Sequence, residues 1–248
     1  MSTAHTKSHG LKTYFVWDKP VRFYHWLNVL CVLCLIAIGT AILNSKALGV
    51  TPDGKILLKT WHVYVGYVFA LNLTFRIVWG FVGSPYARWR AILPIGPSYW
   101  TDFAQYIKSS KQQKRAGFLG HNPLARLMVT LLFLLMSIQA LSGLVLAGTD
   151  VYMPPFGGVI KHWIAKDEAS VDIVKPYSND GIDEQAYQTM RDLRKPVGAT
   201  HYYVFYMLLA AIVIHLFGVI VTEIREGNGI VSAMFTGKKM FKDKAGRC

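Results

Sequence analysis

Apolar residues gather into four long runs, Trp26–Leu43, His62–Val82, Leu124–Ala147 and Ala199–Thr222, with polar or charged stretches between them. Each run approaches the roughly 20 residues that cross a hydrocarbon core of about 30 Å. Lipid offers no hydrogen bonds to the backbone, so runs of this length predict helices. The expected fold is all-α, an integral membrane four-helix bundle that forms a single domain over residues 1–248. Its helices fall at about 20–44, 61–83, 124–147 and 199–224, with short interfacial helices and one larger loop, 148–198.

The polar stretches carry their own signals. Residues 1–19 read as a polar, mobile start. Asp18 is placed to N-cap the first helix, with Pro20 in its first turn. Pro52-Asp53-Gly54 reads as a turn between the first two helices. Tyr99, Phe103 and Tyr106 recur at helical spacing and predict a short interfacial helix, aromatic face toward lipid, ahead of the basic run Lys108, Lys111, Lys114 and Arg115. Asp183–Leu193 has a helical pattern within the long loop. Beyond Gly227 and Gly229, Ile230, Val231, Met234 and Phe235 form an amphipathic patch that reads as a second interfacial anchor.

Composition supports this division. The 248 residues are 52% hydrophobic with a mean hydropathy of +0.29, too apolar for an ordinary soluble domain. The apolar run after the polar start is too long for the core of a signal peptide, so the first helix is expected to stay uncleaved. Most of the 27 Lys and Arg residues flank one side, in the N-terminal stretch, the loop Arg88–Arg126 and the tail from Arg225. The positive-inside rule then places both termini in the cytoplasm and loop 148–198, where most acidic residues lie, in the periplasm. The net charge of +13 implies anionic lipid headgroups as its counterpart, and no nucleic-acid motif accompanies it. Cys31 and Cys34 lie a turn apart inside the first helix; no histidine follows them, so they read as packing residues and not a c-type haem attachment.

The chemistry lies in the eight histidines. His5, His9 and His162 fall outside the apolar runs, and His121 sits at the mouth of the third; the other four lie at membrane depth. His25 begins the first helix, so it is at the inner level. His62 and His201 begin the second and fourth, at the outer level. His215 follows His201 by 14 positions, close to four turns and roughly 21 Å of helix, which returns it to the inner level on the same face. Depth therefore sorts the imidazoles into His62 with His201 and His25 with His215. Ionisable groups in lipid are costly and mark function. Two histidines facing across a bundle are the axial ligand set of a six-coordinate b-type haem. Zinc fits less well, since each level offers two histidines and no nearby Cys, Asp or Glu. Arg76, inside the second helix, either snorkels to the headgroups or faces inward toward an anionic group such as a propionate.

Several stretches carry a resemblance: Val16-Trp17-Asp18-Lys19-Pro20-Val21-Arg22-Phe23-Tyr24-His25-Trp26, Trp79-Gly80-Phe81-Val82-Gly83-Ser84-Pro85-Tyr86-Ala87-Arg88, Gly120-His121-Asn122-Pro123-Leu124-Ala125, and the pair His201 and His215. With these the chain resembles the bacterial two-haem cytochromes b. That family includes the b-type subunit of nickel–iron hydrogenases, the gamma subunit of formate dehydrogenase and bacterial cytochrome b561. The resemblance implies two haem b groups with axial ligands His25, His62, His201 and His215, in the bacterial inner membrane. It also implies exchange with the quinone pool on the cytoplasmic side. A periplasmic or membrane-anchored redox protein, a hydrogenase small subunit or a c-type cytochrome, would meet the outer haem on loop 148–198. Arg22, Arg76 and Arg126 are candidates for propionate or quinone contacts, and His121 is read as structural or near such a group. Two alternatives stay open: a standalone cytochrome b561-type quinone-linked oxidoreductase, for example oxidising superoxide, and a haem-free membrane scaffold or transporter.

Overall fold

The computed structural model describes residues 11–111 and 118–242; His5, His9, Lys114, Arg115 and Cys248 lie outside them. Among the described residues the fold is all-α apart from one strand pair. Helices α1 (Lys19–Leu43), α2 (Pro52–Val82), α5 (Pro123–Asp150) and α7 (Glu184–Glu226) are long and apolar enough to cross a membrane. Leu30, Leu33, Leu71, Leu141, Val213 and Phe217 are exposed on their outward faces, which suits contact with acyl chains. The shorter helices are α3 (Trp89–Ile92), α4 (Tyr99–Lys111), α6 (Gly157–Ile164) and α8 (Ile230–Thr236).

Two spans begin earlier than hydropathy indicates. Pro52 opens α2 instead of marking a turn: Thr51 Oγ1 accepts from Gly54 N–H at 3.1 Å, and proline at the first helical position loses no hydrogen bond. Helix α7 runs from Glu184, so the expected loop 148–198 gives its last part to a helix. Asp183 Oδ1 caps it by accepting from Ala186 N–H at 2.8 Å. Strong helix formers such as Glu184, Gln185, Ala186, Met190 and Leu193 carry it to the interior Pro196.

The chain divides into two compact units, each with parts of all four long helices. One unit comprises residues 1–25, 76–133 and 210–248. Here strand β1 (Leu11–Phe15) pairs antiparallel with β2 (Lys238–Lys242), Thr13 opposite Met240. The residues expected to be a mobile start thus include a paired strand. Val16 and Trp17 donate to the Gly237 carbonyl at 2.8 and 3.1 Å. Gly237 has φ +82°, and a Cβ there would lie 2.6 Å from the Trp17 carbonyl oxygen. Val16, Trp17, Val21, Ala87 and Ala233 form the core beneath.

Asp18 caps α1, accepting from Val21 N–H at 2.9 Å and from Trp79 Nε1 at 3.1 Å. Burial pushes its carboxyl up, but the hydrogen bonds outweigh that and hold it below the ordinary value. Asn122 caps α5 through Ala125 N–H at 2.7 Å, with Pro123 at the first position. The face of α4 expected against lipid instead partly meets protein: Tyr99 donates to the Pro123 carbonyl at 2.9 Å, and Asn122 donates to Tyr106 at 3.1 Å. Trp100 remains exposed.

The other unit comprises residues 26–75 and 134–209. Ile164, Val174 and Met190 form a small core below the loop, with Tyr152, Ile160 and Tyr187 packed against it. An isolated bridge joins Ala165 to Ile182.

Candidate functional site

In the unit holding residues 26–75 and 134–209, α2 presents His62 and α7 presents His201. The ring centroids stand 6.3 Å apart, with planes 75° from parallel. Both imidazoles line a cavity of about 340 Å³, with Gly39, Gly66, Gly143 and Gly198 among its walls. That volume lies within the roughly 300–1,000 Å³ of small-molecule and cofactor sites. Glycine has a local reason here. A Cβ on Gly39 would come within 3.3 Å of His62 Cε1, and one on Gly143 within 3.3 Å of His201 Cε1.

The tautomer of His201 follows from its partners. Ser142 Oγ lies 2.9 Å from Nδ1 and 2.7 Å from the Ile138 carbonyl. The hydroxyl hydrogen goes to the carbonyl, so Nδ1–H donates to the hydroxyl oxygen. Nε2 is left as the basic nitrogen, accepting from the Gln139 amide at 3.1 Å. A ligating histidine is oriented by such a bond from its other nitrogen. His62 Nδ1 is buried with no hydrogen-bond partner among the described residues. Two imidazoles across an apolar, glycine-walled space match the donor set of a bis-histidine haem. Among the described residues no three His, Cys, Asp or Glu side chains gather to hold a bare ion.

In the other unit, α1 presents His25 and α7 presents His215, each half-buried, with His25 in electrostatic reach of His215. Arg76 is only 4% exposed. Its guanidinium lies over Tyr24, Trp89 and Phe133 at 5.8, 5.8 and 5.4 Å, and Nη2 donates to the Ala87 carbonyl at 3.0 Å. The side chain therefore turns inward and does not snorkel; Nη1 has no hydrogen-bond partner among the described residues. Arg22 donates to the Phe235 carbonyl. Arg126 donates to the carbonyls of Arg90 and Leu93 and lies over Tyr99 at 5.1 Å. Arg22 thus ties α1 to α8, and Arg126 ties α5 to α3 and the residue that ends it.

His121 packs on Trp17 with ring centroids 4.8 Å apart. Removal from water, with Lys239, Arg76, Arg126 and His215 around it, pushes its pKa down to about 3. Lys239 donates to the Phe118 and Gly120 carbonyls at 3.3 and 3.1 Å. His162 stands apart in the loop, half-exposed, 3.5 Å from Glu168.

Sequence reasoning missed the relation of Ser142 and Gly143 to His201. It also passed over Lys59, Asp150 and Arg194, which meet at the cavity's edge. The available signal was spacing: Lys59 lies three residues before His62, and Arg194 seven before His201.

With four helices of spanning length and an apolar cavity flanked by imidazoles, the chain has the make-up of an integral membrane cytochrome. The family model described as prokaryotic cytochrome b561 matches residues 16–237, and the chain belongs to that family, as a multi-pass membrane b-type cytochrome of electron transport. It is similar to a "Probable Ni/Fe-hydrogenase B-type cytochrome subunit" of Cupriavidus necator, 22% identical over 94% of this chain and 90% of the relative. The protein of the same description from Rhizobium leguminosarum is 25% identical over 93% and 90%. A "Probable Ni/Fe-hydrogenase 1 B-type cytochrome subunit" of Escherichia coli K12 is 28% identical over 67% and 75%. No solved structure matches.

Proposed function

We propose that the chain is a single-domain di-haem cytochrome b, with His62 and His201 ligating one iron and His25 and His215 the other. It passes electrons between the quinone pool and a periplasmic or membrane-anchored partner, a hydrogenase small subunit or a c-type cytochrome. The observation that carries this reading is the His62–His201 couple, 6.3 Å between centroids across a glycine-walled cavity. Haem b supplies one-electron chemistry at iron. The residues hold it, exclude water and set the local field. Ser142 keeps Nδ1 of His201 protonated, so Nε2 is the basic nitrogen, and iron would take the place of its hydrogen bond from Gln139. Arg76 brings a buried cation into the unit that holds His25 and His215, where a propionate or a quinone oxygen can use Nη1. Arg22 and Arg126 are secondary positions for such contacts, since both already serve backbone carbonyls.

Charge placement puts both termini in the cytoplasm of a bacterial inner membrane, so His25 and His215 lie on the quinone side. The names of the relatives favour a nickel–iron hydrogenase as partner. In membranes from the native host, hydrogen gas should then reduce the b-type α-band, and deletion of the hydrogenase small subunit should abolish that reduction. Added quinone should reoxidise the band. Reduction by quinol with no other protein present would point instead to the standalone enzyme.

A further inference from the structure

Arg22, Arg76 and Arg126 all belong to the unit that holds His25 and His215; none belongs to the unit of His62 and His201. A haem between His62 and His201 brings two propionate carboxylates, and carboxylates in an apolar cavity need a cation or water. The cavity offers one charged edge, where Lys59 and Asp150 line it.

Three helices converge there by simple spacing. Lys59 precedes His62 by three residues on α2, so both side chains leave the same face. Asp150 follows Gly143 by seven residues on α5, and Arg194 precedes His201 by seven on α7, about two turns in each case. Lys59 Nζ donates to Asp150 Oδ2 and to Tyr177 Oη. Arg194 Nη1 donates to Asp150 Oδ1 at 2.8 Å. Two cations thus face one carboxylate, and their side chains are 18%, 26% and 24% exposed for Lys59, Arg194 and Asp150. A surplus positive charge held partly out of water at the cavity's edge acts with little screening.

We propose that Lys59, held in place by Asp150 and Tyr177, binds a propionate of the haem between His62 and His201, with Arg194 offsetting the charge of Asp150. This rests on the bis-histidine reading of that couple. Asp150 is the positioning residue: it orients the cation and contributes a negative charge of its own.

The test is a redox titration of the full-length purified protein at the reduced α-band, with haem counted by pyridine haemochrome. His62→Ala identifies which transition belongs to this couple. Lys59→Gln removes a positive charge, which disfavours the more negative reduced state, so the midpoint potential of that haem falls. Asp150→Asn removes a negative charge and raises it. Lys59→Arg stays near wild type, and the His25–His215 haem is unmoved throughout. Loss of the His62–His201 haem in Lys59→Gln, restored in Lys59→Arg, also supports the proposal. It is overturned if Lys59→Gln and Asp150→Asn leave that potential at its wild-type value, or move it in the same direction. Retention of both haems by His62→Ala would overturn the ligation reading itself, independently of any result at Lys59.

Discussion

Ser142 accepts a hydrogen bond from Nδ1–H of His201 at 2.9 Å and passes its own hydrogen to the Ile138 carbonyl at 2.7 Å. The relay fixes one tautomer. Ser142→Ala leaves Nδ1–H unpaired and lets the ring turn, and loss of such an orienting bond costs about 10–100-fold in affinity for the bound metal group. Haem transfer to apomyoglobin should accelerate for one of the two haems in Ser142→Ala and remain normal for the other.

The glycine walls set how close the helices lie to the imidazoles. A Cβ on Gly143 would meet His201 Cε1 at 3.3 Å, whereas one on Gly218 of the same helix as His201 would meet nothing within 4 Å. Gly143→Val should therefore lower haem content toward one per chain. Gly218→Ala should leave it at the wild-type value, as read by pyridine haemochrome.

Arg76 combines one charged hydrogen bond with three ring contacts in a site only 4% exposed. Its truncation to alanine should cost about 2–5 kcal/mol, from a charged bond of roughly 1.5–3 and cation–π contacts of roughly 0.5–2. Arg76→Lys keeps the charge and loses the planar fork, so its loss should be smaller. Thermal melts followed by tryptophan emission report both, since Trp89 is one of the stacked rings.

His121 predicts an acid-side weakness. Its pKa in the folded protein is about 3, below the ordinary value of about 6.5. Between those values the unfolded chain binds a proton that the folded chain refuses, so stability falls as pH drops from about 6.5 toward 3. His121→Phe keeps a ring on Trp17 and removes the titration. Its melting temperature should vary less with pH between 6.5 and 5 than that of wild type.

Long-range order was legible where it follows from lipid. Four apolar runs demand four helices, and imidazoles inside such runs stand out against their surroundings. Less legible were features set by partners distant in the chain. The pairing of Leu11–Phe15 with Lys238–Lys242 joins two short, lysine-bearing segments with no strand pattern of their own. The extension of α7 back to Glu184 crosses Pro196 and a polar stretch, where hydropathy falls although helix propensity stays high. Ser142, Gly143 and Lys59 acquire meaning only once the histidines they serve are in place. Arg76 was open between lipid surface and interior, and the aromatic cage of Tyr24, Trp89 and Phe133 decides it.

The most direct measurement is the haem stoichiometry of wild type and of His25→Ala, His62→Ala, His201→Ala and His215→Ala, combined with redox titration of what remains. Two haems should bind to wild type. His62→Ala and His201→Ala should lose the same haem, and His25→Ala and His215→Ala the other. A colourless wild-type protein, or a His62→Ala variant lacking the haem that His25→Ala also lacks, would contradict the assignment.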